Sequence, residues 1–200
     1  MPNHIYSQLL VEGSSSLIQS LLAYCKDSET ELSTDQIYPM PPELKAVSSS
    51  PPKIVSEEEY AKWKADPQAR AEGPITKRMK REYEQKFGAA DWYAWANKFW
   101  GTKWGFYNVG KWAINSNDSA VISFQTAWSP ATPVVTKLSA EFPAIKITYS
   151  FADEGGDFVG NQIFESGKLV KQNTFPWDSQ DGIFIRKLVG EYREEDDEDC

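Results

Sequence analysis

Between Asp91 and Trp112 the chain reads DWYAWANKFWGTKWGFYNVGKW and holds five of its eight tryptophans. Trp92, Trp95, Ala96 and Phe99 fall at i, i+3, i+4 and i+7, which is one face of an amphipathic helix. Gly101 then stops that helix, and WGTKW leads into an extended run through Phe106, Tyr107 and Val109. Each indole offers roughly 150–250 Å² for burial and carries an N–H that needs an acceptor. A chain with this stretch must therefore build its core around it or display it as the floor of a binding surface. A long aromatic helix face ordinarily packs inward.

Composition narrows the class. Apolar residues make up 40 % of the 200, and aromatics 14 %, enough to bury a substantial core in one domain. No run approaches the ~18 apolar residues of a membrane span. The N-terminus MPNHIYSQLLVEG lacks the basic and small-residue pattern of a secretory signal. Cys25 and Cys200 form no disulfide framework, so the expectation is a reducing cytoplasm. The net charge of −8 is polarised. Glu191–Cys200 carries seven acidic residues and one Arg, whereas residues 74–112 carry eight Lys and Arg against Glu82, Glu84 and Asp91. A basic middle and an acidic tail raise nucleic-acid contact or internal masking; a solvated helix face and a solubilising tail are the plainer alternative.

The chain order then indicates a fold. Ile5 to Val11 reads as a strand, followed by a helix capped by Ser14 or Ser15 with Leu17, Ile18, Leu21, Leu22 and Cys25 on one side. Ala46 to Lys53, with SSSPPK, reads as a flexible linker. Ser56 and Glu59 make a capping box, and Pro74 is placed to open a helix on which Ile75, Met79, Tyr83 and Phe87 recur every four residues up to Gly88. Lys77, Arg78, Lys80 and Arg81 fall off that line and are expected at the surface. Ala120 to Trp128 is a strand, Thr132 caps a helix with Pro133 at its first position, and Ala144 to Phe151 alternates as a strand. Asp157–Phe164 and Lys168–Asn173 read as a hairpin about Ser166-Gly167, and Gly182–Tyr192 is undecided between strand and helix. The expected class is α+β: a ferredoxin-like antiparallel sheet with helices on one face, a helical insertion over residues 54–99, and a C-terminal hairpin. The expected domain spans 1–190, with 191–200 an acidic disordered tail. Ferredoxin-like here means topology, since two isolated cysteines hold no iron–sulfur cluster.

With the motifs placed, the chain resembles the YubB-like family of phage and plasmid proteins. The matching pieces are Pro2-Asn3, Pro39-Met40-Pro41 with Glu43-Leu44, and Trp100-Gly101-Thr102-Lys103-Trp104. Thr126-Ala127-Trp128-Ser129-Pro130 follows with Phe124, then Leu138-Ser139, Phe142-Pro143 and Glu154-Gly155 with Phe158 and Gly160. His4 stands where the family pattern leads one to expect Trp, and the acidic tail is additional. The resemblance implies a mobile-element origin, a ferredoxin-like fold and no transferable activity. It also implies that WGTKW and TAWSP touch, with Trp100 and Trp104 near Trp128.

The residues themselves do not form a reaction centre. His4 is the sole histidine, no phosphate-binding loop is present, and Asp153, Glu154 and Asp157 read as a solvated hairpin loop more readily than as a cation site. No cofactor or metal is expected. Lys103, between Trp100 and Trp104, is placed for a cation–π contact or for an anionic ligand. The functional expectation is a non-enzymatic accessory protein that binds a host protein, with a defence complex as one such partner. The candidate binding residues are Trp100, Lys103, Trp104 and Trp128. The alternative is a nucleic-acid-binding module using Lys77, Arg78, Lys80 and Arg81 with neighbouring aromatics.

Overall fold

The computed structural model describes residues 3–116 and 118–192. In chain order its elements begin β1 (His4–Glu12), α1 (Ser15–Cys25), α2 (Thr34–Ile37) and α3 (Pro42–Lys45). Next come β2 (Ile54–Val55), α4 (Glu57–Ala65), β3 (Ile75–Thr76), α5 (Lys77–Phe87) and α6 (Trp92–Phe99). The remainder is β4 (Ala113–Ser116), β5 (Ser119–Ala127), α7 (Thr132–Glu141), β6 (Lys146–Asp153), β7 (Val159–Glu165), β8 (Lys168–Phe175) and α8 (Gln180–Val189). The chain forms two compact units, Met1–Tyr38 with Trp100–Cys200, and Pro39–Phe99.

The first unit is built on a six-stranded sheet in the order β4-β5-β1-β6-β7-β8, with antiparallel neighbours throughout. Its β4-β5-β1-β6 portion, with α1 after β1 and α7 after β5, is the ferredoxin-like arrangement. Alternation along β1 sends Ile5, Ser7, Leu9 and Val11 to one face, where all four are buried. Ile122 and Phe124 of β5 and Ile147 and Tyr149 of β6 are buried too. Ile18 and Leu21 of α1 and Val134, Val135 and Leu138 of α7 are likewise buried. Each fully buried Leu or Ile contributes on the order of 1.5–3 kcal/mol. The phenol of Tyr149 is satisfied inside this core by Ser7 Oγ at 3.2 Å and by the Ala131 N–H, which donates to it at 3.2 Å.

Helices on one face describes α1 and α7 but not α8. Ala152 of β6 and Val159 of β7 point opposite to Tyr149, and with Ile185 and Val189 of α8 they form a second cluster flanked by Tyr6, Phe175 and Trp177. The undecided stretch after Gly182 is thus a helix. Ser179 caps it by accepting from the Gly182 N–H, Gly190 ends it, and its buried residues recur at helical spacing. The chain stays ordered past the helix. Glu191 and Tyr192 donate their N–H groups to the Arg186 carbonyl, and the Glu191 carboxylate accepts from Arg186 Nε at 2.6 Å with both side chains nearly buried. Two residues assigned to the acidic tail therefore belong to the fold, and the expected disorder over 193–200 lies outside the described residues.

The second unit begins at Pro39 rather than near 54, and Met40, Leu44 and Val47 in its opening stretch are buried. The expected linker is tied down there. Ser48 donates its N–H to the Gly73 carbonyl at 2.9 Å, Gly73 donates to Ala46 at 2.8 Å, and Val47 is 1 % exposed. The Ser56–Glu59 capping box is present at the start of α4. Pro74 does not open α5. Ile75 and Thr76 pair in parallel with Ile54 and Val55, and the Thr76 hydroxyl caps the helix by accepting from the Met79 N–H at 3.2 Å. Thr132 is displaced in the same sense: Ala131 occupies the cap of α7, which leaves the Thr132 hydroxyl free to donate to Gln162 Oε1 at 2.9 Å.

Candidate functional site

WGTKW and TAWSP meet in the first unit. Gly101 has a φ of +77°, and a Cβ there would lie 2.6 Å from Pro133 Cδ, so glycine is required by both conformation and space. The next residue, Thr102, is fully buried and brackets Ala127: its hydroxyl donates to the Ala127 carbonyl at 2.8 Å and accepts from the Ala127 N–H at 3.1 Å. Ser129 Oγ closes the other side by donating to the Gly101 carbonyl at 2.5 Å.

This latch fixes a strained residue. Trp128 has a φ of +71°, in the left-handed region where a bulky L-residue is a genuine outlier. Its N–H donates to the Asn3 carbonyl at 3.0 Å, and Thr126 Oγ1 donates to the Ser129 carbonyl at 2.8 Å across it. Such backbone strain costs on the order of 1–3 kcal/mol and persists only where the surroundings over-determine it. The result is an indole 43 % exposed. Trp104 is 38 % exposed, and the Lys103 ammonium lies between the two rings, 4.7 Å from the centroid of Trp104 and 4.5 Å from that of Trp128. Trp100, by contrast, is 7 % exposed, and its indole N–H is donated to the Tyr38 carbonyl at 2.8 Å.

Beside the sandwich, Trp104 meets Tyr107 edge-on at 6.1 Å. The Tyr107 hydroxyl donates to the Thr126 carbonyl at 2.9 Å and lies 2.7 Å from His4 Nδ1. Burial first, and the nearby Glu154 carboxylate second, push the phenol up to about 12. With its own proton directed at Thr126, the Tyr107 oxygen can accept from His4 Nδ1 in the tautomer that carries hydrogen there. His4 thereby orients Tyr107, a role no short-range pattern reveals because the two are 103 positions apart.

Other candidates resolve structurally. Asp153 is 1 % exposed and accepts from the N–H groups of Gly155 and Asp157 and from the Asn3 amide, so it organises the loop. No group of His, Cys, Asp and Glu able to hold a metal ion occurs among the described residues. Cys25 is buried, and desolvation pushes its thiol up to about 12, far from a nucleophile's range. The basic residues of α5 lie in the second unit, interleaved with carboxylates. Arg78 meets Glu82 at 2.9 Å and Glu57 at 3.5 Å, Lys80 meets Glu84 at 3.7 Å, and Lys77 and Arg81 are exposed. Hydrogen bonding to Glu82, more than any other cause, raises the Arg78 pKa. No helix among the described residues is long and apolar enough to cross a membrane.

Fold and site together define a ferredoxin-like α+β protein that displays an aromatic–lysine surface. Residues 106–199 match the family described as a ferredoxin-like domain in Api92-like protein, in keeping with the sheet order described above. The crystal structure of a protein api92 from Yersinia pseudotuberculosis superposes with a TM-score of 0.51 at 12 % identity, covering 88 % of this chain and 98 % of that one. At that identity the likeness is one of fold. No curated protein matches the sequence. The match bears out the expected ferredoxin-like domain; TAWSP lies inside the matched span and WGTKW just before it.

Proposed function

We propose that this protein is a non-enzymatic accessory protein of phage or plasmid origin, YubB-like in its motifs, that acts in the host cytoplasm by binding a host protein. A component of a defence complex is the kind of partner that fits such an origin. The observation that carries the reading is Trp128, held outward in a strained backbone with Lys103 clamped between it and Trp104. Exposed tryptophans rich in contact area are the residues around which protein–protein hot spots form. The ammonium between them presents N–H donors to an acidic group of the partner. Nothing in this surface pairs a nucleophile with a base, so its chemistry is that of contact.

The nucleic-acid reading draws on exposed Lys77 and Arg81, but it is weaker because Arg78 and Lys80 already face Glu57, Glu82 and Glu84. The test is affinity capture from host lysate, with and without nuclease, followed by measured binding of the purified captured protein. The expected result is a nuclease-resistant partner whose affinity falls at least tenfold in Trp104→Ala and Trp128→Ala, each about the effect of a modest hot spot. Undiminished affinity in both variants overturns the reading.

A further inference from the structure

Directly after Trp128 the chain borders a cleft. Ser129 and Pro130 line an open cleft of about 240 Å³ whose apolar walls are Pro130, Phe151 and Phe158, the two phenyl rings meeting edge-on at 6.0 Å. No charged side chain lines it. Small-molecule sites generally need roughly 300–1,000 Å³. This cleft is below that range and suits one large side chain.

Its polar rim has a direction. Thr132 Oγ1 donates to Gln162 Oε1 at 2.9 Å, and Gln162 Nε2 donates to Gln172 Oε1 at 3.4 Å. Gln162 is 5 % exposed, so this relay is fixed from inside. The chain of donors ends on Gln172, whose oxygen is engaged and whose NH₂ group is the donor on offer at the cleft. A neutral, aromatic-walled slot with an amide donor at its rim matches an aromatic side chain flanked by a backbone carbonyl. Gln172 and Thr174 lie on β8, the outermost strand of the sheet, so an extended segment can lie along this rim.

We propose that the cleft receives one aromatic side chain of the partner polypeptide, whose neighbouring carbonyl accepts from Gln172, and that Trp128 and the cleft form one continuous interface. The inference rests on the protein-binding reading above. Its test titrates the full-length protein with N-acetyl-phenylalanine amide and, separately, with adenosine, following the ring signals of Phe151 and Phe158 by NMR. Saturable shifts are expected with the amide. They should vanish in Thr174→Trp, which fills the slot from an exposed strand position, and affinity should drop roughly fivefold in Gln172→Leu, the loss of one hydrogen bond. No saturable shift with the amide, shifts unchanged in Thr174→Trp, or tighter binding of adenosine each overturn the proposal, the last assigning the slot to a nucleobase. Against the purified partner, Thr174→Trp should weaken binding at least tenfold. If it does not, while Trp104→Ala and Trp128→Ala do, the cleft alone is refuted and the aromatic–lysine surface stands.

Discussion

At the scale of single residues, two tryptophans of one pentapeptide have opposite duties. Trp100 is buried and its N–H is satisfied by Tyr38, so Trp100→Ala should cost about 3–5 kcal/mol in a urea melt. Trp104→Ala removes a partly exposed ring and should stay within about 1 kcal/mol of wild type. Equal losses at the two positions would place Trp104 in the core. Trp128 allows a sharper measurement. Trp128→Gly accepts the positive φ that Trp128→Ala does not, so the glycine variant should be the more stable by about 1 kcal/mol although it deletes more atoms. The Tyr107 phenol adds a pH dependence. Its folded pKa of about 12 exceeds the ordinary value near 10, so its contribution to stability is complete below pH 10 and is lost as pH rises towards 12. Tyr107→Phe should flatten the fall in melting temperature across that window, and an unchanged slope would assign the alkaline sensitivity to other tyrosines.

At the scale of elements, the ends of helices decide more than their interiors. α8 is held by a buried ion pair five residues apart, and its guanidinium also stacks over Trp177 at 4.2 Å and Tyr192 at 4.9 Å. Glu191→Ala strands the Arg186 charge in a nearly dry site and should cost about 3 kcal/mol. Deleting 193–200 removes charged terminal residues beyond this pair and should leave the melting temperature unchanged at physiological salt. The contrast checks where the folded domain ends: a truncation as damaging as Glu191→Ala would extend it into the acidic segment. In α5, Thr76→Ala removes the hydroxyl that accepts from the Met79 N–H and should cost about 1 kcal/mol, which Pro74→Ala should not.

At the scale of the whole molecule, charge sets what the protein can bind without specificity. Outside the last ten residues the net charge is about −2, and the basic stretch of α5 faces carboxylates on its own and neighbouring helices. Full-length protein should therefore bind DNA and RNA no better than roughly 10⁻⁵ M near 0.15 M salt, the non-specific range. Gel shifts on single- and double-stranded probes measure this. Sub-micromolar binding abolished by reversing Lys77, Arg78, Lys80 and Arg81 to Glu would favour the nucleic-acid reading instead.

What the sequence determined by itself is whatever depends on neighbours a few residues apart. The strand alternation of β1 and β6, the Ser56–Glu59 box, the span of α6 and the stops at Gly88 and Gly101 are local patterns, each with its own geometric signature. What only tertiary structure decided depends on partners far along the chain. Trp100 turned inward because Tyr38 offers a carbonyl, while Lys103 came between Trp104 and Trp128 because Thr102 and Ser129 lock two distant pentapeptides together. The end of the folded chain moved past Glu191 because Arg186, buried beside Trp177 and Tyr192, requires an anion. Exposure, backbone strain and the pairing of buried charges are properties of an environment, and an environment is assembled from residues that sequence separation hides from one another.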